Sequence, residues 1–259
     1  VAQYLVFQTL YLLFDRFVLG GNTPFTYTTP YWILWFLVSV ILWKVIAPLL
    51  ARCPFGAVLA VAVALAVLAG YDHSLSRFLS LSRTLVFFPF FWLGYHAKKQ
   101  HFERLRRLPA WLPLLAFGAS FVALRAMPRL PVLFLYGATP YQTAQMQGPG
   151  AGLSRLACLG WGFVLVCCFF ALVPAGKTVF SALGQRTGQV FLLHGFVIRY
   201  LGKALPLPVL LDTTVERLLF MALLTAALLL LLHRHVATAC APLLDPVRFF
   251  GRLRRARTP

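Results

Sequence analysis

Acidic side chains are scarce in this chain: six Asp and Glu in 259 residues, against 24 Lys and Arg. No apolar run holds an acidic pair, so metal-dependent hydrolysis on a carboxylate cluster is a poor fit. Charge of either sign is low, at 12% of residues, about half the ~25% of an ordinary soluble domain. Cysteine is equally uninformative as a ligand set. Cys53, Cys158, Cys167, Cys168 and Cys240 follow no metal-ligand spacing, and apolar packing accounts for them without any metal. The chain also lacks a His-x-x-x-Asp pair, a Gly-x-Ser-x-Gly elbow and a Walker or dinucleotide signature, which removes the motif-borne hydrolases and nucleotide enzymes. It has no inverted internal repeat of the kind that marks many transporters.

What is present in quantity is apolar surface. Sixty per cent of residues are hydrophobic, arranged in repeated runs long enough to cross a bilayer core, which needs ~20 residues of helix. The expected fold class is all-α, a polytopic transmembrane helical bundle. The net charge of +18 would point to nucleic acid in a soluble protein. Here the basic residues gather in loops and in the tail, where membrane lipid headgroups and topology explain them, and no nucleic-acid partner is expected.

The central stretch is Leu79–Lys99, LSLSRTLVFFPFFWLGYHAKK. It is apolar and aromatic through its middle and ends on Lys98 and Lys99, followed by Arg104, Arg106 and Arg107. That basic end is expected to be cytoplasmic. Val1–Phe14 reads as the tail of a membrane helix whose beginning is absent. Tyr31–Leu50 is a span opened by Tyr31, Trp32 and Trp35, an aromatic belt. Phe55–Gly70, Pro109–Met127, Leu153–Val173, Gly188–Leu205 and Thr213–Leu232 follow as further spans. Pro128–Gly152 reads as a long polar-leaning loop, and 246–259 as a basic cytoplasmic tail carrying Arg248, Arg252, Arg254, Arg255 and Arg257. The total is about eight apolar segments in one transmembrane domain, in the plasma membrane with the C-terminus cytoplasmic.

Three features carry possible chemistry. Arg83, in Ser80-Leu81-Ser82-Arg83, sits inside an apolar run, where a charge is costly unless it snorkels or finds a partner. With Ser as a helix cap it is an ordinary outer-end arginine; held inward, its guanidinium binds a sugar, acyl or phosphate oxygen. His194, in Phe191-Leu192-Leu193-His194-Gly195-Phe196, lies about two turns into its span. It is either a functional intramembrane group or a neutral histidine hydrogen-bonded between helices. Gly188 and Gly195 allow a close helix approach in both cases. The turn Gly184-Gln185-Arg186-Thr187-Gly188 precedes a helix start that can cradle an anion with Arg186 adding charge, and an ordinary helix start explains it equally well.

Four stretches together resemble the acyltransferase 3 family of integral membrane O-acyltransferases, in its fucose 4-O-acetylase-like branch. They are Tyr31–Leu37, Leu81–Thr84 through Phe88–Tyr95, the Gly184–Gly188 turn, and Val190–His194. The resemblance implies a bundle of about ten helices that moves an acyl group, commonly acetyl, from acyl-CoA as donor substrate to a hydroxyl of a sugar or cell-envelope glycan. It implies no bound cofactor and no metal. The family's catalytic histidine and its neighbouring arginines belong upstream of the stretch matched by Val1–Phe14, so none of those N-terminal catalytic residues is expected here. Arg83, His194, Ser82, Trp35 and Arg186 are then the expected supporting or substrate-binding residues. The alternatives from other classes are a transporter or flippase of a small polar or lipid-linked solute, and a non-catalytic membrane fragment.

Overall fold

A computed structural model of the chain describes residues 1–76, 78–126, 131–146, 148–206 and 210–244. The basic tail with its five arginines, together with Arg77, Gln147 and the end of the Pro109–Met127 run, lies outside the described residues. All regular structure among those described is helical. In chain order the helices are α1 Ala2–Phe17, α2 Trp35–Leu50, α3 Phe55–Leu68, α4 Leu81–Tyr95, α5 Lys99–Leu105, α6 Trp111–Ala126, α7 Val132–Leu135 and α8 Pro149–Leu172. Then come α9 Val179–Gly184, α10 Thr187–Ala204, α11 Thr214–Leu229, α12 Arg234–Ala239 and α13 Ala241–Leu244. The chain forms two compact units, residues 35–175 and residues 1–34 with 176–259.

Among the described residues four helices are long and apolar enough to cross a membrane: Trp32–Leu50, Phe78–Tyr95, Pro149–Leu172 and Thr214–Leu232. The expected eight exceeds this number, and the reasons are in the residues. Phe55–Leu68 and Trp111–Leu124 are apolar but shorter. Helix α1 has 16 residues and carries Gln3, Gln8, Asp15 and Arg16, and α10 carries Gln189, His194, Arg199 and Lys203. The expected long loop is also shorter than its polar composition predicted, because α8 already starts at Pro149, proline being suited to a helix's first turn. The spans show apolar side chains outward: Leu218, Leu219, Leu223 and Leu230 on α11 and its continuation are each more than half exposed. Such a surface suits lipid rather than water.

In the unit of residues 35–175, α4 packs on both α2 and α3. Ala62 and Ala66 on α3 are buried, and small residues let helix backbones approach closely. Trp92 of α4 is fully buried with Ala47 and Val58, and its indole N–H donates to the Phe55 carbonyl at 3.3 Å. Two polar ties cross from α2 to α4: Ser39 and Thr84 hydroxyls at 2.7 Å, and Trp43 Nε1 donating to the Thr84 carbonyl at 3.0 Å. In an apolar surround such bonds set register more than they add net stability.

The start of α4 is not capped in the expected way. Ser80 occupies the N-cap position but makes no capping bond, and both Leu79 (φ 48°) and Ser80 (φ 49°) are left-handed. Left-handed non-glycine residues are strained. Ser82 is instead a tie: its Oγ donates to the buried Gly137 carbonyl at 2.8 Å, fastening residues 131–146 over this end of the helix. We expect Ser82→Ala to cost about 1–3 kcal/mol, since it leaves a buried acceptor without its donor. A thermal melt of the detergent-solubilised protein that is unchanged by this substitution would show the tie to be dispensable.

Candidate functional site

The five expected residues fall into two groups, one in each unit. In the unit of residues 35–175, Arg83 and Trp35 meet: the guanidinium carbon lies 5.0 Å from the indole centroid. Trp35 is steadied from its other neighbour Phe87, 5.4 Å between ring centroids. Among the described residues Arg83 neither snorkels free nor finds a carboxylate. It is half-buried over an aromatic face, and its Nε is buried without a hydrogen-bond partner. Ser82, one residue earlier, has its hydroxyl committed to Gly137 and is itself 3% exposed, so it positions the helix end and has no hydrogen to offer a ligand.

In the other unit, Arg186 is the N-cap residue of α10 and His194 lies within that helix, the two about 12 Å apart along the axis at 1.5 Å per residue. Arg186 Nη1 donates to the Leu232 carbonyl at 2.9 Å, and Gln189 donates to the neighbouring Leu231 carbonyl. Arg186 is therefore a tie between α10 and the chain end of α11 rather than a free cation over the turn. His194 Nδ1 stands 2.9 Å from the Val190 carbonyl and 2.8 Å from the Phe191 carbonyl. Both partners are acceptors, so Nδ1 carries the hydrogen and, in the neutral ring, Nε2 holds the lone pair. The ring lies 6.2 Å from that of Trp32.

A polar network in the same unit went unread in the sequence. Asp15, at the end of α1, is 3% exposed. Its Oδ1 accepts from the Tyr31 hydroxyl at 2.7 Å and pairs with Arg199 Nη2 at 3.6 Å. Arg199 in turn donates to the Tyr31 oxygen at 2.8 Å, and the Thr23 N–H points at Asp15 Oδ2 at 3.4 Å. A buried carboxylate needs such partners to remain charged. Gly21 is forced here by space: a Cβ would stand 2.4 Å from Asp15 Oδ2. The signal in the sequence was thin, an acid at a helix end and an arginine in an apolar run, Val197-Ile198-Arg199-Tyr200.

A second missed residue is Arg155 on α8, 3% exposed. Its Nη2 donates to the Phe134 carbonyl at 2.5 Å, its guanidinium carbon lies 4.0 Å over the Phe134 ring, and its Nε has no partner among the described residues. Tyr141 beside it donates to the Val67 carbonyl at 2.7 Å, and burial pushes its phenol up from the ordinary tyrosine range. Among the described residues no group of three or more His, Cys, Asp and Glu is placed to hold a metal ion.

No family model, no curated protein and no solved structure matches the chain.

Proposed function

We propose that the chain is membrane-embedded O-acyltransferase machinery, moving an acyl group, acetyl in the simplest case, from acyl-CoA to a hydroxyl of a sugar or cell-envelope glycan. The observation that carries the reading beyond the resemblance is the state of His194. Its Nδ1–H is pinned by two backbone carbonyls of its own helix, which leaves Nε2 as a fixed acceptor with no hydrogen bond among the described residues. A general base requires such an atom. In the proposed step the acceptor hydroxyl attacks the thioester carbonyl as its proton passes to His194 Nε2. The tetrahedral oxyanion then collapses, the C–S bond breaks, and the proton leaves on the CoA thiol. Donors are also needed for the oxyanion.

The chain would lie in the plasma membrane as about eight segments, with Lys98, Lys99, Arg104, Arg106 and Arg107 on the cytoplasmic face. The same rule puts the C-terminus on that face. This basic stretch suits the phosphates of CoA. Alternation then puts residues 20–30 and 131–146 outside. Reporter fusions check the map: a phosphatase joined after Tyr141 is expected to be active outside, and one joined after Arg107 inactive. The reverse pattern would invert the orientation.

The deciding experiment expresses the reading frame that carries this chain, supplies membranes with [14C]acetyl-CoA, and counts label in extracted glycan and glycolipid. Label above that of vector-only membranes supports the reading. Its absence across acetyl, propionyl and succinyl donors overturns it.

A further inference from the structure

A cavity of about 430 Å³ lies at the end of α10 in the unit of residues 1–34 and 176–259, lined by Asp15, Trp32, Arg199 and Lys203 among others. We propose that it binds one acidic sugar unit, a pyranose bearing a single carboxylate, as the acceptor of the proposed acyl transfer; in that acceptor role the proposal rests on the reading above.

The lining selects for such a ligand in three ways. First, the charges do not cancel: two cations stand against one acid. Arg199 is tied to Asp15 and Tyr31, whereas Lys203 spends one donor on the Val18 carbonyl at 3.2 Å and keeps the rest of its three. The surplus is one positive charge, which suits a monoanion. Second, Asp15 stands in the same wall, buried and already holding Tyr31, Arg199 and Thr23, so its negative charge repels a phosphate monoester, which carries more than one charge, harder than it repels a single carboxylate. Third, Trp32 presents a large flat ring: it is 40% exposed and is held in a left-handed backbone conformation, φ 42°. A residue kept in that strained region is over-determined by its surroundings, and an aromatic face takes the apolar face of a pyranose.

The cavity also lies on the correct face of α10. Ile198 lines it and is four residues beyond His194, so the two share one helix face about 6 Å apart along the axis. Trp32 touches both the cavity and the His194 ring. A hydroxyl on the inward side of a bound ring would lie toward Nε2.

Binding is measured apart from catalysis, on the protein purified in detergent from its reading frame, by saturation-transfer NMR with methyl β-glucuronide, methyl β-glucoside and glycerol 1-phosphate as probes. We expect the glucuronide to bind at least tenfold more tightly than the glucoside. Lys203→Gln, a change at an exposed side chain, should bring the two within about threefold of each other, and Trp32→Phe should weaken both. Equal binding of the glucuronide and glucoside to the wild-type protein overturns the proposal, as does binding unaffected by Lys203→Gln. Tighter binding of glycerol 1-phosphate also overturns it and reassigns the cavity to a lipid headgroup. If the glucuronide binds but no acyl transfer is found with any donor, the enzyme reading falls and the site stands. If transfer occurs and no probe binds here, the site falls alone.

Discussion

Replacing His194 with alanine is expected to lower acyl transfer by roughly 10²- to 10⁴-fold, the usual contribution of a positioned general base, with the amount of folded protein in the membrane unchanged. The expectation of intact folding comes from the local geometry. The two carbonyls that hold Nδ1 belong to the same helix, one turn earlier, so losing the imidazole leaves the helical bonds of α10 in place. The buried packing around it runs through Gly195, Tyr11 and Phe196, and the ring itself, half-buried, adds only its edge contacts with Trp32 and Phe191. His194→Gln sharpens the test, because glutamine keeps a hydrogen-bonding tip but is no base at neutral pH. Quantitation per folded molecule, by fluorescence-detected gel filtration, separates chemistry from yield. If activity falls only in proportion to folded protein, or if His194→Gln retains wild-type turnover, His194 is a packing residue and the mechanism needs another base.

How much of this was legible in the sequence depends on the range of the interactions involved. Helix α4 and its basic exit were readable because both are local: an apolar aromatic run, then Lys98 and Lys99. The helix ends at Tyr95 all the same, and Lys99 opens a separate short helix. Arg83 was readable as a misplaced charge, but its partner was not, since Trp35 lies 48 residues away and only the packing of α2 on α4 brings it in. Ser82 shows the limit from the other side. A serine at a helix start predicts a local cap, and the structure uses it for a bond 55 residues away. The Asp15–Tyr31–Arg199 network was illegible for the same reason. Its members are 16 and 168 residues apart, and an acid at the end of an apolar helix ordinarily means only that the helix has reached water. The span count went beyond the four that stand out by length and composition because every apolar run was weighted alike, including α10, whose Gln189, His194, Arg199 and Lys203 lower its hydropathy.

Gly195→Leu is expected to be the most damaging single change in its unit. The glycine follows His194 in a helix interior, where the residue type is ordinarily unfavourable by about 1 kcal/mol relative to alanine, so contact rather than propensity must hold it there. A Cβ at this position would stand 2.1 Å from the Tyr11 hydroxyl and 2.9 Å from the Trp32 ring. Tyr11 cannot yield easily: it is fully buried, donates to the Leu192 carbonyl at 2.9 Å, and stacks on Phe196 at 4.0 Å. Leucine must therefore break that hydrogen bond and overpack the α1–α10 contact, together about 3 kcal/mol, seen as a large fall in melting temperature or in yield. A double-substitution cycle makes the cause testable even where leucine leaves nothing to melt. Gly195→Ala alone meets the same hydroxyl, and Tyr11→Phe removes it. The pair should therefore be more stable than the sum of the two separate losses predicts, with a coupling of about 1 kcal/mol. Strict additivity would mean that Tyr11 and Gly195 do not touch, and the placement of His194 against Trp32, which depends on that contact, would lose its support.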